Sequence, residues 1–152
     1  MSDANLRALE RAAQSGDPEA SLRLVVERLR RGGDGLARVP LEGSVLADLC
    51  PFHSRDDEQS VLLADVAEAW GYESRDETYY GDDRLYGDWV LRLVDGTWAV
   101  AEALADTSCE TCGWGGSPGS QALLYRGPLD GLTLHLTDAL VRTLLTTPQE
   151  GA

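Results

Sequence analysis

The amino-acid sequence predicts an α+β fold: an N-terminal helical hairpin, a central helix, an antiparallel β-sheet with an Asp-Gly hairpin, and a C-terminal helix. Three observations carry this. Apolar residues recur at three- and four-residue spacing before Gly32 and again after Thr137, as in amphipathic helices. Between them, "DWVLRLVDGTWAVAEAL" sets Asp95-Gly96 between two apolar runs, a strong hairpin signal. A chain of 152 residues, 43% hydrophobic and 26% charged, is long enough to bury a core as one compact unit.

In the first helix Asp3 can cap, and Leu6, Leu9 and Ala13 form a stripe that Gly16 ends. Asp17 caps the second, with Pro18 at its first position. Leu22, Val25, Val26 and Leu29 make its apolar face before "RRGGDG" stops it, with arginines where they suit the helix dipole. Residues 1–33 thus read as a helical hairpin and 34–152 as a zinc-stabilised α+β domain, together one unit. "PLEGSVLADLC" predicts a helical turn or two. Ser54 and Asp57 then open the central helix, "RDDEQSVLLADVAEAW", with Asp56, Asp57 and Glu58 at its positive end and Gly71 closing it.

From residue 72 the pattern turns to β. A two-residue type I′ turn at Asp95-Gly96 pairs Leu93 with Trp98 and Leu91 with Val100 on one face. "ALLYR" (122–126) and "LTLHL" (132–136) read as further strands, the second with His135 toward solvent. Thr137 caps the last helix, whose Leu140, Val141, Leu144 and Leu145 are apolar before Pro148 stops it.

The formal charge of −13 is unevenly spread. Residues 1–40 carry seven arginines against six acids, and the remainder six arginines against twenty acids. Nucleic-acid binding depends on cations that neutralise phosphates, so a basic protein partner fits this chain better. No apolar run is long enough for a membrane span and the N-terminus has no apolar signal core, so the expected location is cytoplasmic. Arginine is the only basic residue besides histidine and isoleucine is absent, a bias matching a GC-rich bacterial genome.

The chain has three cysteines, and all fall into two short pairs, Cys50 with His53 in "CPFH" and Cys109 with Cys112 in "CETCG". A C-x2-C spacing lets one tight turn aim both sulfurs at one point, and Gly113 lets the chain reverse behind them. "CETCG" resembles a zinc knuckle of the kind found in zinc ribbons and rubredoxin-like sites, and "CPFH" supplies the complementary pair. The resemblance implies a structural Zn2+ held by Cys50, His53, Cys109 and Cys112. An iron–sulfur cluster would use the same ligands. Thioredoxin-like redox chemistry fits less well, because its C-x2-C opens a helix and "GWGGSPG" after Cys112 prevents one. Trp114 is placed to cover the site from water.

Three thiolates and an imidazole close a tetrahedron and leave no position for water, so no catalytic residue is assigned. Zinc deaminases place a glutamate two residues after the histidine ligand, whereas His53 is followed by Ser54 and Arg55. A zinc-dependent hydrolase or deaminase-like enzyme requires that His53 or one thiol be displaced, with Asp106 and Glu110 the local acids. No serine sits in a nucleophile elbow.

"ESRDETYYGDDRLYGDW" interleaves aromatics with acids. Tyr79, Tyr80, Asp82, Asp83, Tyr86 and Asp88 are the candidate partner-binding residues, because tyrosine favours interface cores and acids select a basic partner. The plainer alternative packs these aromatics into the sheet. The sequence thus reads as a structural-zinc protein acting as an interaction or accessory module. Its alternatives are an acidic immunity or inhibitor protein against a basic toxin or nuclease, and a zinc enzyme.

Overall fold

A computed structural model describes residues 2–48, 52–53, 60–77, 83–106 and 120–146. Local capping signals set its first elements. Helix α1 (Asp3–Gln14) is capped by Ser2, one residue earlier than expected, whose hydroxyl accepts from Asn5 N at 3.2 Å. Helix α2 (Pro18–Arg30) starts as predicted, with the Asp17 carboxylate accepting from Glu19 N and Ala20 N. Helix α4 (Asp138–Leu145) is capped by Thr137 as predicted.

Besides two short 3-10 helices (Leu63–Asp65 and Leu129–Leu134), the remaining described elements are strand β1 (Arg38–Val39), the one-turn helix α3 (Val45–Asp48), strands β2 (Phe52–His53) and β3 (Ser60–Val61), then the long strands β4 (Val66–Glu77), β5 (Asp83–Leu93), β6 (Trp98–Asp106) and β7 (Ser120–Gly127). They form one sheet in the order β1-β4-β5-β6-β7-β2-β3. Every pairing is antiparallel except β2 with β7, which run parallel with His53 opposite Ala122. The α+β class therefore holds, and no described helix is long and apolar enough to cross a membrane.

Three sequence expectations are corrected. The predicted central helix does not extend through Val66 to Trp70, which belong to β4, and Ser60–Val61 is strand β3. The strand buries residues on both faces: Val66 and Ala69 join one core cluster and Trp70 the other. A strand covered on both sides loses its alternation and imitates a helical stripe. The proposed start of that helix, residues 54–59, lies outside the described residues.

The Asp-Gly hairpin exists, but its turn holds three residues, Val94 to Gly96, with Gly96 at φ +89° and Leu93 N donating to Thr97 O at 2.9 Å. Trp98 consequently pairs with Arg92, and Val100 with Val90. A one-residue slip exchanges the two faces, so Leu93 and Trp98 enter different clusters. Finally, "LTLHL" is no strand. Residues Leu129–Leu134 form a 3-10 helix that His135 ends. Gly131 permits it, since a Cβ there would lie 2.1 Å from the Tyr125 hydroxyl oxygen.

The sheet has a core on each face. On the helix face, Val25 and Leu29 of α2 and Leu140, Val141 and Leu144 of α4 pack with Leu132 onto Trp70, Val90, Trp98 and Val100. Trp70 stacks on Trp98 with centroids 5.8 Å apart, lies beneath the Arg38 guanidinium, and abuts Gly33 so closely that a Cβ there would stand 2.3 Å from its ring. On the opposite face Val45 and Leu46 of α3 pack against Leu85, Trp89, Leu91, Ala101 and Leu123.

Candidate functional site

Of the four expected metal ligands, Cys50, Cys109 and Cys112 lie outside the described residues, and His53 is described through its backbone in β2. Among the described residues no group of three or more His, Cys, Asp or Glu is arranged to hold a metal ion. What the described residues define is the chain's path on either side of the pairs. The Glu73 carboxylate on β4 accepts from Val45 N at 2.9 Å, Leu46 N at 3.4 Å and Trp89 Nε1 at 3.1 Å, which anchors the start of α3 to two strands. Helix α3 ends at Asp48, two residues before Cys50. Because β2 runs parallel to β7, the chain enters both strands at one end of the sheet, and β6, whose Leu104 pairs with Ser120, leaves at that same end.

The acidic aromatic segment divides. Tyr79, Tyr80 and Asp82 lie outside the described residues, and Asp83 is placed by its backbone opposite Glu77. Trp89 and Glu73 belong to the core side, as the plainer alternative has it, with Trp89 fully buried. Tyr86 is half-buried and Asp88 exposed, both on the helix face.

Register adds neighbours that sequence reasoning missed. Asp88 pairs with Tyr72 on β4 and Glu102 on β6, and Glu102 pairs with Ala122, so one row across the sheet reads Tyr72, Asp88, Glu102, Ala122, His53. The next row places Ser74 beside Tyr86. Helices α2 and α4 pack over the face around Trp70, Val90 and Val100, and among the described residues of the next rows Tyr72 is 52% exposed while Tyr86, Glu102 and Ala122 are half-buried. The signal for Tyr72 and Glu102 was the period-two spacing Trp70-Tyr72 and Val100-Glu102, whose partners depend on the turn register.

Electrostatically these rows are one-sided. Asp88 and Glu102 stand directly opposite each other, and no ion pair among the described residues involves either. Like charges in cross-strand positions repel. Partial desolvation against the sheet pushes the Asp88 carboxyl above its ordinary value, although the residue as a whole is exposed. A face of this kind offers carboxylates and an exposed tyrosine ring to cationic and apolar groups. At its margin a shallow cleft of about 490 Å³ lies between Tyr72 and Arg142 of α4.

His135 stacks on the Tyr125 ring with centroids 4.8 Å apart and belongs to no group of three or more ligand-type residues among the described residues. No protein-family model, curated protein or solved structure matches the chain.

Proposed function

We propose that this chain is a zinc-stabilised interaction module that captures a basic protein partner on the acidic, tyrosine-bearing end of its sheet. The observation that carries the reading is the pair Asp88 and Glu102, facing each other with no ion pair among the described residues and neighboured by Tyr72 and Tyr86. Removing water from such carboxylates is unfavourable unless incoming cations pair with them, so the surface discriminates for arginine and lysine. The far larger acid excess after residue 40 extends the same preference to long range.

The zinc reading rests on the donor set and the chain path. Three thiols and one imidazole suit a closed tetrahedral site. The strand ends that flank the two pairs lie at one end of the sheet, which makes a shared ion plausible in topology. Bound zinc would cross-link the segment before β2 to the connection between β6 and β7, and Cys50, His53, Cys109 and Cys112 would hold it.

Elemental mass spectrometry on protein purified without chelator tests the metal. About one zinc per chain is expected, lost in a Cys109→Ser, Cys112→Ser variant together with thermal stability. Absence of metal from the wild type removes the zinc reading. An array of labelled basic peptides tests recognition: reversal of Asp82, Asp83 and Asp88 to lysine should abolish the hits, and unchanged binding removes the partner reading.

A further inference from the structure

We infer that the partner presents a short basic amphipathic α-helix, which lies on the half of this sheet face that no described helix seals and continues the layer begun by α2 and α4. The inference rests on the basic-partner reading and specifies the shape of what binds.

Dimensions favour one helix. Tyr72 to Asp76 on β4 spans about 13 Å along the strand, and β4 to β7 spans about 14 Å across. A helix is about 10 Å wide, and about 14 Å of its length is nine or ten residues, close to three turns. Helices already cover the other half of this face, and neighbouring helices pack about 8–10 Å apart. An extended peptide fits worse. Strand addition needs a free edge, whereas the backbone groups of β5 and β6 are already used in ladders on both sides. Only side chains face the occupant, and a helix can meet them with side chains alone.

Chemistry sets the pattern on that helix. Tyr72, Tyr86 and Ala122 offer aromatic and apolar contact, while Asp88 and Glu102 stand between Tyr72 and Ala122 in one row across the sheet. Leucine-type residues at helical spacing would cover the rings, with lysine or arginine beside them to neutralise both carboxylates. Arg142 borders the face beside Tyr72 and suits the negative end of a helix dipole. The partner helix therefore points its C-terminus toward α4.

The probe is a labelled leucine–lysine peptide of about 14 residues with helical apolar spacing, titrated into the full chain and followed by anisotropy and circular dichroism. One-to-one binding with a gain of helix is expected. Asp88→Lys with Glu102→Lys should weaken it at least about tenfold, whereas Asp34→Lys with Glu42→Lys, an equal change of net charge elsewhere, should weaken it less than about twofold. Asp88→Asn with Glu102→Gln gives the same direction should the reversed pair fail to fold. Equal weakening by both reversals, or binding without gain of helix, overturns the inference. Loss on reversal of Asp82 and Asp83 alone also overturns it but leaves the basic-partner reading intact. Absence of binding to this peptide and to the basic array overturns both.

Discussion

The same four strands carry two different surfaces on one face. Around Trp70, Val90, Trp98 and Val100 every large side chain is sealed beneath α2 and α4. Two residues further along the strands, the equivalent positions are Tyr72, Asp88 and Glu102, which no described helix covers. The difference lies in side-chain chemistry. The backbone ladder continues unbroken from Val90 through Tyr86 to Asp83, so the open half is as well paired as the covered half. A region can therefore be ordered by its ladder and its reverse face without a described helix sealing its front.

Substitution in the covered half should have the largest effect. Trp70→Ala removes a ring with no solvent exposure that packs against Trp98, Arg38 and Gly33. It should cost about 3–5 kcal/mol in urea unfolding. Gly33→Ala approaches the same contact from the other side, pressing a Cβ into the indole at φ +82°, and should cost about 1–3 kcal/mol. If Gly33→Ala leaves the midpoint unchanged, the tight seal over Trp70 is not what stabilises this half.

The reverse face of the open half supplies the next test. Glu73→Ala removes the carboxylate that accepts from Trp89 Nε1 and from the Val45 and Leu46 amides, and should cost about 2–3 kcal/mol. The loss should loosen α3, so amide exchange at Val45 and Leu46 should rise more than at Val25. Uniform acceleration would mean that Glu73 supports the whole fold and has no special part in anchoring α3.

The comparison also explains what the sequence disclosed. Caps act within one turn, so Asp17-Pro18 and Thr137 were legible, and the Ser2 cap missed by one position. Strand β4 was not, because "VAEAW" serves both faces and the residues it pairs with, Val90 to Leu93, lie at the far end of the next strand. The slip at Val94 to Gly96 came from a turn whose length dipeptide chemistry leaves open, and it decided which residues share a face with Asp88. Residue types at the candidate site, Tyr86 and Asp88 among them, stood out in the chain. Their neighbours Tyr72 and Glu102 did not, since adjacency across strands follows only from register. The paired spacing of Cys50, His53, Cys109 and Cys112 was visible from sequence for the same local reason as the caps.

The smallest effects should come from acid titration, and they should differ in sign between Asp95 in the hairpin turn and Asp88 on β5. At the covered end, Asp95 accepts from the Thr97 hydroxyl and amide and from Arg126, which hold its pKa at about 2. Its stabilisation is present above the ordinary carboxylate range and is lost as pH falls through the folded value, between about 4 and about 2. Asp88 behaves oppositely. Desolvation raises its folded pKa above 3.8, so the folded state holds the proton more tightly and stability declines as pH rises through that raised value. Asp88→Asn should therefore stabilise at neutral pH, by no more than about 0.5 kcal/mol, and the gain should vanish once the wild-type carboxyl is protonated. Asp95→Asn should lower the neutral-pH melting temperature and flatten its fall in acid. Should Asp88→Asn instead destabilise at neutral pH, the charged carboxylate has a partner in the free protein, and the open half is not the unsatisfied acidic surface described.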